Sequence, residues 1–509
     1  MAADIFTSVF MRQPQSNVFD MSYDMKLSLD MGNLTPIHCQ EIIPGDKITV
    51  STESLLRFSP LVAPVMHKVD VYTHFFFVPN RIVWPNWENF ITGQQGYMPP
   101  TLEAFECKAG SLADYLGLPL SNSIDLVSAI PFAAYQLIFH EYYRDQNLQD
   151  QERPVLVDAG QSPAEQAALL QLRQRAWGHD YFTSALPFAQ KGPAVDIPLG
   201  DVKLRDNWSS NIESNPKFVV NNAGQSYQGD LSQTADIVGD PAHINVGAID
   251  QKNAYDPDGS LVSGSTSIND LRRAFKLQEW LEKQARGGTR YIESILSHFG
   301  VHSSDARLNR PEYLGGTKQP MVISEVLQTS ETDTSPQGNL AGHGISVGSG
   351  KAFSYRAEEH GYIIGIMSVM PKTAYQQGMP RHFTKFDYLD YYWPSFAHLG
   401  EQAIKNREIY YDAADSEEVN NATFGYIPRY SEYRYHDSRV AGDFRTSLAF
   451  WHLGRIFGSR PHLNANFISS DPTKRIFAVV APDVHSIYAH VFHKIKAVRK
   501  MPKFGTPEF

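Results

Sequence analysis

Apolar and polar positions alternate with a period of two in the early part of the chain, most densely over Lys68–Pro79. An extended chain there puts Val69, Val71, Thr73 and Phe75 on one face and Asp70, Tyr72, His74 and Phe76 on the other. Both faces are largely apolar or aromatic beyond Tyr72, so this strand is predicted to be covered on both sides. Cys39–Val50 reads as two short apolar runs around a Pro44-Gly45-Asp46 turn, and residues up to about 105 read as β throughout. The period then lengthens. Ala134, Leu137, Ile138 and Glu141 stand at helical spacing, with Pro131 suited to a first turn, and Pro163–Arg173 predicts a second helix. Ser267–Asp270 is a capping pattern ahead of Leu271, Ala274, Phe275, Leu277 and Leu281, and Gly287-Gly288 stops that helix. Tyr291, Ile292, Ile295, Leu296 and Phe299 give a further helix ending at Gly300. Strand signals return at His360–Met370, Arg475–Val480 and Ser486–Phe492. No fixed repeat occurs, which excludes solenoids and propellers.

Between about Pro198 and Ser267 the pattern fades. Residues 201–270 carry ten Asp and Glu against four Lys and Arg, a net of −6, in text rich in Asn, Gly and Ser. This stretch reads as an exposed insertion or loop-rich subdomain. The predicted organisation is a discontinuous β-domain over residues 1–199 and 269–509, carrying helical and loop insertions, with residues 200–268 as an acidic insertion.

Composition narrows the function classes. With 509 residues, 42% hydrophobic and 20% charged, the chain supports a large core. Its net charge of −10 means that any nucleic-acid contact must be a local basic patch working against the overall field. Two cysteines, Cys39 and Cys107, make no disulfide framework and favour a reducing compartment. The start lacks a signal-peptide pattern, and the longest apolar stretch, Tyr362–Met370, is far short of the roughly 20 residues that span a bilayer.

Catalytic strings fail on their chemistry. Gly344-Ile-Ser-Val-Gly348 spells a nucleophile elbow, but no helix follows to expose Ser346, and a flexible glycine-rich loop is the expectation. Gly350-Lys351 lacks both the spacing and the hydroxyl of a phosphate loop. His140-Glu-Tyr-Tyr-Arg144 puts an arginine where a zinc protease needs its second histidine, and Asp256-Pro-Asp-Gly259 reads as a turn. No cofactor or metal is expected.

Two basic stretches remain. Arg429, Arg434 and Arg439 interleave with Tyr430, Tyr433 and Tyr435, an arrangement suited to stacking bases and neutralising a single-stranded backbone, or to a solvated strand or interface loop. The run Lys494, Lys496, Arg499, Lys500 and Lys503 reads as a basic tail, either for phosphate or partner contact or simply a soluble terminus.

Longer strings carry a resemblance. Leu271-Arg-Arg-Ala-Phe-Lys-Leu-Gln-Glu-Trp-Leu-Glu-Lys283, Ser304-Asp-Ala-Arg-Leu-Asn-Arg-Pro-Glu-Tyr-Leu-Gly-Gly316, Pro371-Lys-Thr-Ala-Tyr-Gln-Gln-Gly378 and Tyr391-Tyr-Trp-Pro394 are among them. So are Phe75-Phe-Phe-Val-Pro-Asn-Arg81, Arg439-Val-Ala-Gly-Asp-Phe-Arg445 and Met501-Pro-Lys-Phe-Gly-Thr-Pro507. They resemble the major capsid proteins of the Microviridae, closest to the gokushovirus branch, over nearly all of the chain outside roughly 200–268. The resemblance implies a mainly β, eight-stranded antiparallel jelly roll with large insertions, and no enzymatic activity. It implies a virion protein assembled in the bacterial cytoplasm, sixty copies forming a T=1 icosahedral shell around circular single-stranded DNA. The implied partners are an internal scaffolding protein, a DNA pilot protein, a small basic DNA-binding protein and a host receptor. The variable insertion is implied to form threefold protrusions, making Asp230, Asp236, Asp240, Tyr255, Asp256 and Asp258 the candidate receptor-facing residues. A jelly-roll carbohydrate-binding protein or glycosidase, and a peripheral spike or decoration protein, are the rival expectations.

Overall fold

The computed structural model describes residues 14–149, 153–196, 202–204, 217–222, 225–230, 261–263, 267–327, 340–350 and 353–504. The chain divides into two compact units, Met1–Ala189 with Gln284–Phe509, and Gln190–Lys283.

The first unit begins with strands β1 (Ser16–Asp20), β2 (Tyr23–Leu29), β3 (Thr35–Ile42), β4 (Lys47–Phe58) and β5 (Val69–Pro79). Strands β6 (Thr101–Cys107) and β7 (Ser121–Ser128) pair as a separate ribbon. The second unit holds β8 (Val202–Leu204), β9 (Lys217–Asn222), β10 (Gln225–Asp230) and β11 (Leu261–Ser263), paired β8 with β11 and β9 with β10. The first unit resumes with β12 (Glu312–Pro320), β13 (Val322–Leu327), β14 (Leu340–Ser349), β15 (Phe353–Arg356) and β16 (Gly361–Pro371). A ribbon of β17 (Glu401–Lys405) and β18 (Thr423–Pro428) follows, and β19 (Ile487–Lys500) closes the unit.

Two antiparallel sheets face each other. One has seven strands, in the order β1-β19-β4-β14-β13 with β2 on β19 and β15 on β4; the other has four, β12-β5-β16-β3. Their inward side chains, among them Ile48, Val50 and Leu56 against Val71, Phe77, Ile363 and Met367, form one core. The mainly β, antiparallel class expected from the sequence is what the chain adopts.

Strand β5 is covered on both faces. Val69, Val71, Phe75 and Phe77 enter the core between the sheets, while Phe76 and Val78 enter a second core. That second core is roofed by the helix Ile130–Ile138, in which every residue but Pro131 is buried. Pro131 occupies its first turn, where the missing N–H costs nothing, and the helix runs into a π-turn over Phe139–Tyr143. Each fully buried Phe or Ile contributes roughly 1.5–3 kcal/mol of transfer free energy, so two-sided covering anchors β5 firmly. The helices Ile268–Gly287 and Tyr291–Phe299 end at the predicted glycines, and Gly300 takes the left-handed conformation that closes the second.

Three expectations need correction. The early region is not all strand, because short helices Asn80–Val83 and Trp87–Ile91 follow β5, where Trp84 turns into the second core. Arg475–Val480 is not a strand: only Phe477 makes a lone bridge, to Leu61, and Val479 and Val480 are exposed. Flanking cations satisfy the nearby backbone instead, with Lys474 donating to the carbonyls of Ala481 and Val484 and Arg475 to those of Ala449 and Gly454. The glycines around Ser346 lie in β14 rather than in a loop. There Gly342 and Gly344 leave room for Ala63 and Phe58, and Ser346 is buried with its Oγ donating to the Pro320 carbonyl at 3.0 Å.

Candidate nucleic-acid interface

The basic run near the C-terminus is not a tail. Ile487, Ala489, Val491, His493, Ile495 and Ala497 are buried on the inner face of β19, which forces Tyr488, His490, Lys494, Lys496 and Lys500 outward. Register then gathers charge from distant parts of the sequence. Strand β4 brings Arg57 opposite Tyr488 and Lys47 opposite Val498, β2 brings Lys26 opposite His490, and β15 brings Arg356 opposite Lys47. All seven cations, Lys26, Lys47, Arg57, Arg356, Lys494, Lys496 and Lys500, are exposed on the outer face of the seven-stranded sheet.

Three exposed carboxylates share the outer face of this sheet: Asp20 on β1 opposite Lys496, and Asp24 and Glu53 on either side of Phe492. Asp24 accepts a hydrogen bond from His490 Nε2 at 2.6 Å. Hydrogen bonds from the Ser22 side chain and backbone hold the Asp20 carboxyl below its usual range, helped by Lys496 and Lys494. Seven cations against three acids is a locally basic face on a chain of net −10. With Tyr488 half exposed beside Arg57, the face offers both phosphate neutralisation and a ring for stacking.

The other run residues behave differently. Arg499 turns inward, its Nε 2.9 Å from the fully buried Asp46 carboxylate and its guanidinium also donating to the Glu41 carbonyl. Its role is to fasten β19 to the turn after β3. Lys503 is exposed beyond the strand end.

The Arg429–Arg439 segment splits in the same way. Tyr430 is buried in the left-handed conformation at the head of a short 3-10 turn, Ser431–Tyr433, and has no free ring face to offer. Arg429 lies over the Tyr430 ring at 5.0 Å, and Arg434 folds back to the Arg429 carbonyl. Tyr433, Tyr435 and Arg439 border an open cavity of about 880 Å³ together with Arg381, Lys385 and Arg445. That cavity also holds Glu408, Glu432 and Asp437, so it is less one-sided in charge than the sheet face. The structure therefore does not unite the two predicted basic stretches into one set of stacked arginines and tyrosines.

Other sequence candidates have structural partners. His140 contacts Glu141 at 3.2 Å, and Glu141 in turn pairs with Arg310 at 3.0 Å. Among the described residues no cluster of three or more metal-ligating groups occurs. Cys39 and Cys107 are separate free thiols, and burial pushes the Cys39 thiol up to about 12. In the insertion, Asp230 ends β10 opposite Lys217, while Asp236, Asp240, Tyr255, Asp256 and Asp258 lie outside the described residues. Lys26, Lys47, Arg57 and Arg356 were the residues that sequence reasoning missed. Their signal was the alternation itself, which places each at an outward position of a strand.

A family profile described as "Capsid protein (F protein)" matches residues 8–509. The chain is 38% identical to "Capsid protein VP1" of Bdellovibrio phage phiMH2K, over 96% of this chain and 94% of the relative. It is 36% identical to "Capsid protein VP1" of Chlamydia phage 1, over 96% and 95% respectively. A third relative, "Capsid protein VP1" of Spiroplasma virus 4, is 31% identical over 94% and 93%.

Proposed function

The chain belongs to the phage capsid family described as "Capsid protein (F protein)", and from that premise we propose that it is the shell subunit of a sixty-copy T=1 particle enclosing circular single-stranded DNA. Its work is assembly and enclosure rather than catalysis. The outer face of the seven-stranded sheet is the surface turned toward the genome. The observation that carries this assignment is the gathering of Lys494 and Lys496 with cations from three other strands on a chain that is otherwise acidic.

Charge bookkeeping supports a divided labour. Sixty copies at −10 each sum to about −600, the wrong sign for condensing DNA. An inward basic face then has to act with counterions or a small basic protein. The acidic insertion lies within the separate compact unit Gln190–Lys283 and is the segment we assign to host contact. The scaffolding and pilot proteins belong to this same assembly reading.

The test is a charge reversal. Particles carrying Lys494→Glu with Lys496→Glu should still close, but retain less DNA as salt rises. Losing two phosphate contacts should change the logarithmic salt slope by about 1.4 for a single strand. Unchanged DNA retention in closed particles would remove this face from the genome contact.

A further inference from the structure

A second surface of the first unit is exposed in a way that a lone soluble subunit rarely tolerates. Between Phe383 and Leu399 eight large apolar side chains stand out of the protein, Phe386 87% exposed and Tyr388 69%. They are not loose. The Asp390 carboxylate accepts the N–H groups of Phe386 and Asp387 at 3.0 Å each, and the Trp393 indole donates to the Tyr388 carbonyl at 2.8 Å. Tyr392 packs edge-on against buried Tyr430 at 5.0 Å, and Lys385 joins Glu432 at 3.2 Å and the Tyr433 hydroxyl at 2.9 Å. The result is a preformed aromatic platform, with Arg434 and Arg439 exposed on the adjoining segment. Rigid Tyr, Trp and Arg side chains held in place before contact bind at low entropic cost.

A complementary surface lies on the same chain. Residues 411–419 are exposed apart from partly covered Asp412, and carry Asp412, Asp415, Glu417 and Glu418 with no cation among them, flanked by Tyr411 and Val419. Arg460 engages Asp415, and Arg407 stands 3.8 Å from Glu417, whose side chain is 87% exposed. Glu417 and Glu418 open the helix Glu417–Asn421, capped by Ser416. We propose that the aromatic platform of one copy docks on the acidic segment 411–419 of a second copy. The platform itself exposes Asp387 and Asp390, so the opposite charge is carried by Arg434 and Arg439 beside it, set against the acids of 411–419. Such a pairing of two patches on one chain lets identical subunits recognise each other. This inference rests on the shell reading and adds to it the surfaces through which copies meet.

The experiment uses the full chain expressed with its assembly partners, with particle yield measured by gradient sedimentation. Phe386→Ser with Tyr388→Ser changes only exposed side chains, so the subunit should keep the wild-type thermal midpoint while particle yield falls at least about tenfold. Arg434→Glu with Arg439→Glu, and separately Glu417→Arg with Glu418→Arg, should each lower yield similarly. Combining the two reversals should recover most of it. Normal yield from the aromatic variant, or a combined reversal no better than either alone, overturns the docking. Aromatic variants that assemble normally but release DNA would overturn it too, and would assign the platform to nucleic acid. A wild-type chain that forms no shells would instead remove the shell reading beneath it.

Discussion

His38 and His493 show how much a single side chain here depends on its neighbours. Their rings lie 5.1 Å apart between the two sheets, 3% and 0% exposed. His493 Nε2 donates to the Ile37 carbonyl at 2.8 Å and its Nδ1 accepts from Thr52 at 3.0 Å, while His38 shares a hydrogen bond with the Tyr23 hydroxyl. Burial pushes His38 down to about 3, with the neighbouring His493 adding to it, and burial pushes His493 down to about 4. An unfolded chain protonates both near 6.5, so it binds more protons than the folded one in the window from about 6.5 to about 4. Stability should be fully present above that window. Within it, each of these histidines should remove about 1.4 kcal/mol per pH unit as the pH falls. Urea unfolding of the subunit at pH 7, 6 and 5 measures the slope, and His493→Gln should flatten it by one proton's worth; a pH-independent midpoint contradicts the assignment. Gly32 makes a second residue-scale test. It sits at φ +85°, and a Cβ there would collide with the Ser470 carbonyl, so Gly32→Ala should cost about 1–3 kcal/mol in the same assay. None of this was legible in the sequence, because a buried histidine and an exposed one are spelled alike.

At the scale of elements, legibility followed the strength of the period. Strand β5, β16 and the helices Ile130–Ile138, Ile268–Gly287 and Tyr291–Phe299 were readable because large apolar side chains marked their faces. The far half of β19 was not, since Ile495 and Ala497 are its only inward apolar marks and lysines dominate the rest. Hydrogen bonding to β4 and β1, both hundreds of residues away, decides that stretch. Arg475–Val480 failed in the opposite direction, being apolar enough for a strand but left without a ladder partner beyond Leu61. The strand and tail readings of the basic run predict different outcomes. Ile495→Lys should destabilise the subunit by at least about 3 kcal/mol by burying a charge, whereas Lys494→Glu should stay within about 0.5 kcal/mol. A tail would tolerate both.

For the whole molecule, what the sequence conveyed was class and family, and what it concealed was the surface. The resemblance strings lie along nearly all of the chain outside roughly 200–268, but the basic face exists only once β2, β4, β15 and β19 are laid side by side. The same holds for the aromatic platform, whose exposure no periodicity announces. If the acidic insertion is the host-contact segment proposed above, deleting residues 205–265 should leave shell yield unchanged and abolish host adsorption; loss of all particles would show that assembly depends on it. The proposed shell directs the outer face of the seven-stranded sheet at the genome. An electron-microscopy reconstruction of particles assembled from the chain with its phage partners tests it directly. Sixty copies with Lys494 and Lys496 lining the interior are the expected result; those lysines on the outer surface, or no closed shell, would contradict the proposed assignment.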